Sequence, residues 1–532
     1  MSTLLAKIPN AHTRVCIAHG FERLELSGPF WHAFAAFKTC SHAFLLDSSV
    51  ASSECGRYSF MGKQPIAVFQ ARRLNPQSRP FDTVMEIQRF ESAGGKKYGD
   101  PPHPERISGD ALETLRNLLA EYAAPFGEEA KKRFPFLGGA VGFFGYEAGS
   151  WNGPDGSIKT QSESSIPDIH FALYERVLCH DHDSGETYIS VVGRGNTDQA
   201  ARRASEQAMG AIRESVTATQ RTAQRTAQRG KAAPQSLRAS PGVKETTTQE
   251  CCFDEAGYCD AVQTVQEHIE AGDIYQACMT QRFQSDLGKH APWNLYCHLR
   301  ASNPAPFACY LHTPTFCVVS ASPERYLAVD RTGWAESRPI KGTRPRGKTP
   351  QQDAALRQEL IESEKDRAEN VMIVDLVRND FGRVCRFGSI NVSQLMQIES
   401  YATVFQMVST VRGQLPEDRD GLDLVRATFP GGSMTGAPKI EAMKILDRLE
   451  PVRRGIYSGG IGYLDYAGAM DLNMVIRSFV IEEGVVSYHA GGGVVADSSP
   501  AAEYQESLDK VVALQRALGT LKQETTAKRS SE

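Results

Sequence analysis

Among the residues able to do chemistry, one amine sits in an unusual setting. In Glu336-Ser337-Arg338-Pro339-Ile340-Lys341-Gly342-Thr343-Arg344-Pro345-Arg346-Gly347, Lys341 lies between a proline-stiffened approach and a Gly-Thr turn, with Arg338, Arg344 and Arg346 nearby. Crowding by like charge pushes a lysine toward its neutral, nucleophilic form. The same residues could equally form a solvated basic turn, the ordinary fate of a charge run. The rest of the chain has to decide.

Other candidate groups are carboxylates. Glu369 begins the broad apolar helical face of Val371, Ile373, Val374, Leu376 and Val377. Glu506 lies on a helix expected over 501 to 518, three residues after Glu503 and one turn before Lys510. Two such glutamates could ligate a hard divalent cation, since Mg2+ takes oxygen ligands and keeps several waters. They could also be surface carboxylates, with Glu506 paired to Lys510. Glu324, in Ser322-Pro323-Glu324-Arg325, is either a general acid or the partner of Arg325. Arg477 falls within an apolar strand read over 473 to 481, where a charge needs a partner. Gly491, Gly492 and Gly493 end a strand and allow a backbone or ligand to approach closely. Gln276 and Tyr457, taken singly, fit structural and functional roles alike.

Several elements must position these groups. Alternating runs from 13 to about 70 read as sheet, 110 to 122 as a helix, and Phe136 to Tyr146 as a glycine-rich strand lacking the Lys-Ser/Thr ending of a phosphate loop. The stretch 214–250, with Thr-Ala-Gln-Arg repeats and few large apolar residues, reads as a disordered connector, a basic arm for nucleic acid being the alternative. From there helices are expected over 254 to 271 and 438 to 449, and strands at 273 to 283, 307 to 312, 316 to 321 and 325 to 330. This organisation gives an N-terminal region 1–213, the connector, a catalytic region 251–520 and a disordered tail 521–532. A net charge of −4 offers no electrostatic footprint for nucleic acid. No apolar run is long enough to span a membrane, and the N-terminus has no secretory pattern. Twelve cysteines, single apart from adjacent Cys251 and Cys252, read as small buried hydrophobes in a reducing compartment, the cytoplasm.

The block around Lys341, together with Glu369 to Asp380, Pro430-Gly431-Gly432-Ser433-Met434-Thr435-Gly436-Ala437-Pro438-Lys439 and Gly491 to Ser498, resembles in order the blocks of the chorismate-utilising enzymes. The close likeness covers about 251 to 520. A looser one, through Leu45-Leu46-Asp47-Ser48 and Gly56 to Gly62, extends it over the N-terminal half. It implies an α+β fold of two stacked, mostly antiparallel sheets with flanking helices.

Lysine at 341 resembles the aminodeoxychorismate branch; the anthranilate branch carries alanine there. The resemblance implies that the Lys341 amine attacks the chorismate ring as the 4-hydroxyl leaves, and that ammonia then replaces it. The product would be a precursor of p-aminobenzoate and folate. It implies Glu324 as the acid, Mg2+ held by Glu369 and Glu506, and Lys510 beside that carboxylate. Arg477, Tyr457 and the amides of Gly491, Gly492 and Gly493 would take the enolpyruvyl carboxylate, with Gly342 and Thr343 lining the pocket. Gln276 stands where isochorismate and salicylate synthases carry a lysine base, which argues against water as nucleophile. Gln406 replaces a frequent histidine. Ser48, with Pro304, Ala305 and Pro306, matches the family's tryptophan pocket, although Asp47 stands where glutamate is commoner. No glutaminase block is present, so ammonia would come from a separate amidotransferase subunit or free ammonium. The other readings are an anthranilate synthase component, or a non-catalytic glutaminase-binding or tryptophan-sensing subunit.

Overall fold

The computed structural model describes residues 2–8, 15–50, 55–73, 83–90, 103–152, 164–228, 250–401 and 403–529. Their strands form two sheets, one of 13 strands and one of 12. Both halves of the chain contribute to both. Strand Ala43–Asp47 pairs with Phe307–His312 in the larger sheet, and Gly139–Phe144 pairs with Gly460–Asp465 in the smaller. The N-terminal region is therefore woven into the sheets of the catalytic region.

Apolar alternation drives this stacking. Phe60 and Val318 from the larger sheet meet Val68, Phe143 and Ile461 from the smaller, all nearly inaccessible to solvent. Each such side chain contributes roughly 1.5–3 kcal/mol on burial.

The chain crosses between the sheets at two places that matter for the site. Phe316–Ser322 belongs to the larger sheet and Arg325–Val329 to the smaller, so Pro323 and Glu324 form one crossing. Met470–Met474 belongs to the smaller and Ser478–Glu482 to the larger, so 475–477 forms the other. The crossings hold each other: Met474 N–H donates to the Glu324 carbonyl at 3.0 Å and Ala321 N–H to that of Arg477 at 3.1 Å. The single strand expected over 473–481 is thus two, broken where Arg477 adopts φ +50°.

Helix Glu364–Gly382, capped by the Ser363 hydroxyl, lies against Ile340–Pro345 and Val404–Gln414. Helix Pro500–Arg529 packs on strand Val485–Val494. It runs past 520 because Leu521 is buried in the core, and 530–532 lie outside the described residues. Part of the expected connector is also helical, in Asp198–Gln228. Ala201, Ala208, Met209, Ile212 and Val216 bury one face, and the following Ala, Gln and Arg residues propagate a helix already nucleated. Residues 229–249 lie outside the described residues, and Glu250–Cys251 is a short edge strand.

Candidate active site

Lys341 sits in strand Ile340–Pro345, whose register against Val404–Gln414 slips between Ile340 and Thr343. Such a bulge re-aims the side chains within it. Gly342 completes the bulge at φ +88°, and a Cβ there would come within 2.8 Å of Leu360 and 3.0 Å of Asp366. The crowding by like charge expected from sequence is absent. Arg338 pairs with Glu399, Arg344 with Glu359 and Asp366, and Arg346 with Asp353, each arginine turned to its own carboxylate. The charge facing the Lys341 ammonium is instead Glu369, at 3.7 Å.

A cleft of about 940 Å3 opens around this amine. It brings together Glu324, Lys341, Gly342, Thr343, Glu369, Tyr457, Arg477, Gly491, Gly492, Gly493, Glu506 and Lys510. Gln276 stands just behind, its amide 3.4 Å from Glu369.

The glycines of strand Val485–Val494 each make room for something different. A Cβ on Gly491 would strike the Met279 carbonyl at 1.9 Å, one on Gly492 would lie 2.5 Å from Glu503 and 3.3 Å from Glu506, and one on Gly493 would meet Gln276 at 2.3 Å and Lys341 Nζ at 3.6 Å. The first permits tight strand pairing. The other two let side chains from neighbouring elements converge over the sheet.

Glu324 is buried at its sheet crossing, and burial pushes its carboxyl up to about 7. The Ser433 hydroxyl, donating at 3.0 Å, and the charges of Lys341 and Arg477 oppose that rise without cancelling it. Near neutral pH this group carries a proton it can give away. Arg325 pairs with Asp471 and Glu336, so Glu324 is not its partner. Arg477 is lowered by burial, with the nearby Glu324 charge opposing, and among the described residues no carboxylate forms an ion pair with it.

The carboxylates on the other wall suit a hard cation. Lys510 bridges Glu506 and the Gly491 carbonyl, at 2.7 Å each. Burial tends to raise Glu506, but the Lys510 charge and hydrogen bond outweigh it and hold the group low. Glu503, one turn earlier and buried, is raised mainly by burial; its Oε1 accepts from Ser498 and lies 4.0 Å from Lys365 Nζ, while among the described residues its Oε2 has no partner. The spacing of Glu503, three residues before Glu506, puts it nearby but by itself gives it no role. Among the described residues no three carboxylate, imidazole or thiol groups are close enough to ligate one ion directly. A bound Mg2+ would therefore keep several waters, as that ion prefers. An orphaned, buried carboxylate oxygen beside Glu506 fits such an ion.

Among the described residues, two more that line the cleft carry unmet hydrogen-bonding capacity. Gln406, opposite Thr343 and buried, has an unpartnered Oε1. His489 stacks on Tyr457 at 5.0 Å, its Nε2 without a partner, and burial pulls it down to about 3, so it stays neutral.

The residues expected around a tryptophan pocket lie elsewhere. A second cavity, of about 490 Å3 between the sheets, is lined by Asp47, Pro306, Phe307 and Tyr463 among others. The Asp47 carboxylate is already held by Arg300 at 2.6 Å and Tyr296 at 2.8 Å. Ser48 turns its hydroxyl to the Val50 carbonyl, Ala305 exchanges hydrogen bonds with Ser49, and Pro304 follows the helix cap Asn303.

A profile described as chorismate binding enzyme matches residues 67–516. The chain belongs to the chorismate-binding enzyme family. Within it, the chain is 39% identical over 494 residues to an aminodeoxychorismate synthase of Streptomyces griseus, covering 92% of this chain and 63% of that one. It thus spans less than two thirds of that relative's length. It is 36% identical over 487 residues to aminodeoxychorismate synthase component 1 of Bacillus subtilis, covering 91% and 93%. Among solved structures, anthranilate synthase component I from Streptococcus pneumoniae superposes with a TM-score of 0.67 at 26% identity, over 88% of this chain and 94% of the other. This chorismate-binding enzyme builds its cleft from both sheets, with Lys341 and Gln406 on strands of the smaller and Gly491, Gly492 and Gly493 on a strand of the larger. No described helix is long and apolar enough to cross a membrane.

Proposed function

We propose that this chain aminates chorismate to 4-amino-4-deoxychorismate, a precursor of p-aminobenzoate and folate, using ammonia released by a separate glutamine amidotransferase. The observation that carries the reading is an amine, Lys341, in one cleft with a carboxyl, Glu324, held protonated near neutrality. The names of the two relatives support the same reaction.

In this reading the Lys341 ammonium first loses a proton to solvent; Glu324 then gives its proton to the 4-hydroxyl, which leaves as water while the neutral Nζ bonds to the ring and the ring double bonds shift. Ammonia then bonds at the 4-carbon, the bond to Lys341 breaks, and its electron pair returns to Nζ. The surplus proton on the new amine returns to Glu324. Splitting one hard substitution into two is the purpose of a covalent amine. Gln406 Oε1, otherwise unpartnered, accepts a hydrogen from the incoming ammonia. Arg477, Tyr457 and the strand at Gly491–Gly493 take the enolpyruvyl carboxylate. Glu369 and Glu506, with Glu503 beside them, would hold Mg2+, which neutralises and orients the ring carboxylate. All twelve cysteines carry free thiols, which supports a reducing compartment, the cytoplasm.

The likeness to an anthranilate synthase component I favours a second reading, elimination to anthranilate. Mass analysis of the product from purified chain, chorismate, Mg2+ and ammonium separates them. An aminated product keeping its enolpyruvyl group is expected, and anthranilate would overturn the proposal.

A further inference from the structure

Three lysines face three glutamates in the cleft. Lys341 lies 3.7 Å from Glu369, Lys510 2.7 Å from Glu506, and Lys365 4.0 Å from Glu503. Two of these lysines are held in place: Lys341 sits in its bulged strand, and Lys510 has a second anchor in the Gly491 carbonyl at 2.7 Å. Lys365 is the loose one. Its side chain is 56% exposed, and among the described residues it makes no hydrogen bond. It belongs to the first turn of helix Glu364–Gly382, one turn before Glu369, the ordinary partner at that spacing. Its ammonium instead crosses to Glu503 on helix Pro500–Arg529. Lys365 therefore stands at the rim of the cleft, tied across it to a buried carboxylate whose Oε2 has no partner among the described residues. A half-exposed ion pair at that distance is weak and easily exchanged.

We propose that Lys365 is a further substrate-binding residue, which rests on Glu503 in the free chain and moves to the ring carboxylate of the entering substrate once the acidic wall is loaded with metal. The proposal rests on the reaction and the metal reading given above. An ammonium and a divalent cation beside the same carboxylate repel each other. The flexible four-carbon stem of lysine lets its head swing away while the backbone stays in the helix. No covalent bond changes; one ion pair is exchanged for another. Two effects of opposite sign follow. In the free chain Lys365 competes with the metal for Glu503, and in the complex it adds to the hold on the substrate. A residue that merely tied the two helices together would, on removal, weaken both.

The test has two arms, both on the full chain and neither needing turnover. Mn2+ binding is titrated without chorismate by the electron paramagnetic resonance of the free ion, and chorismate binding is followed by equilibrium dialysis with Mg2+ present and ammonium withheld. Lys365→Met should bind Mn2+ about threefold to tenfold more tightly, the effect of removing one unit charge at the edge of the site, and the gain should shrink as salt is raised. The same variant should bind chorismate about threefold to tenfold more weakly. Lys365→Arg keeps the charge and should stay near wild type in both arms. Mn2+ affinity that is unchanged or lower in Lys365→Met, or chorismate affinity that is unchanged or higher, overturns the proposal. If wild type itself bound no Mn2+ or no chorismate, the metal or substrate reading would fall and this proposal with it, so the two kinds of failure are seen apart.

Discussion

Replacing Glu324 by glutamine tests whether this carboxyl is held as an acid. The amide keeps the shape and still accepts the 3.0 Å hydrogen bond from Ser433. What it removes is titration. In the folded chain Glu324 titrates at about 7 against an ordinary 4.5. Between those values the folded state holds a proton that the unfolded state has released, so wild-type stability falls as pH rises from 4.5 to 7 and is level above. Integrated, the loss is roughly 3 kcal/mol. For 532 residues at about 2.1 cal/mol/K each, that corresponds to ~3 °C in Tm. Melting wild type and Glu324→Gln side by side from pH 4.5 to 8 should therefore show the variant gaining ~3 °C on wild type as pH rises. Any fixed cost of the amide cancels in this comparison. A difference that stays constant with pH, or a variant that loses ground to wild type as pH rises, would refute the argument that burial keeps this carboxyl protonated. In turnover, wild type should fade as pH climbs past 7, and the variant should be slower by about 10² or more below pH 7, with the ratio narrowing above it.

Lys341→Ala should abolish most amination and permit some anthranilate-type elimination, seen by product mass; an undiminished aminated product would exclude the covalent route. Glu503→Gln and Glu506→Gln should each shift the Mg2+ titration of activity to higher concentration, by about tenfold or more if the carboxylate contributes directly or through water. An unmoved titration for Glu503→Gln would return that residue to a structural role. Gln406→Leu should raise the ammonium KM more than the chorismate KM, in steady-state assays with free ammonium.

Much of the site was legible because its groups come in short, chemically specific blocks. Lys341 between Pro339 and Gly342, and glutamates at the edge of apolar helical faces, announce themselves without a partner in view. What sequence could not convey was direction. The arginines near Lys341 look like crowding when counted along the chain, but a bulged edge strand sends alternate side chains to opposite sides, and each arginine finds a carboxylate there. Arg477 looked like a charge buried mid-strand because periodicity does not reveal that the chain changes sheets at that point. Residues 214–228 read as part of a disordered connector for a related reason: their composition is that of a disordered segment, and only the buried face earlier in helix Asp198–Gln228 explains why the helix continues through them.

Charge balance in the cleft bears on how the proposed substrate and Mg2+ would sit. Of the cations that line it deeply, Lys341 faces Glu369 and Lys510 is bound to Glu506, which leaves Arg477 as the one without an ion pair among the described residues. The proposed substrate brings two carboxylates. Arg477 can receive one; the other would arrive beside Glu369, Glu503 and Glu506, where like charges repel at close range. Keeping Glu324 protonated removes one negative charge from the floor, and the Mg2+ proposed for the wall would add to what Lys341, Lys365 and Lys510 already neutralise there. Arg477→Gln and removal of Mg2+ should therefore weaken chorismate binding separately and in an additive way, since they serve opposite ends of the molecule. If chelation cost no affinity once Arg477 was gone, both groups would be acting on one carboxylate, and the placement of the substrate proposed here would have to be reversed.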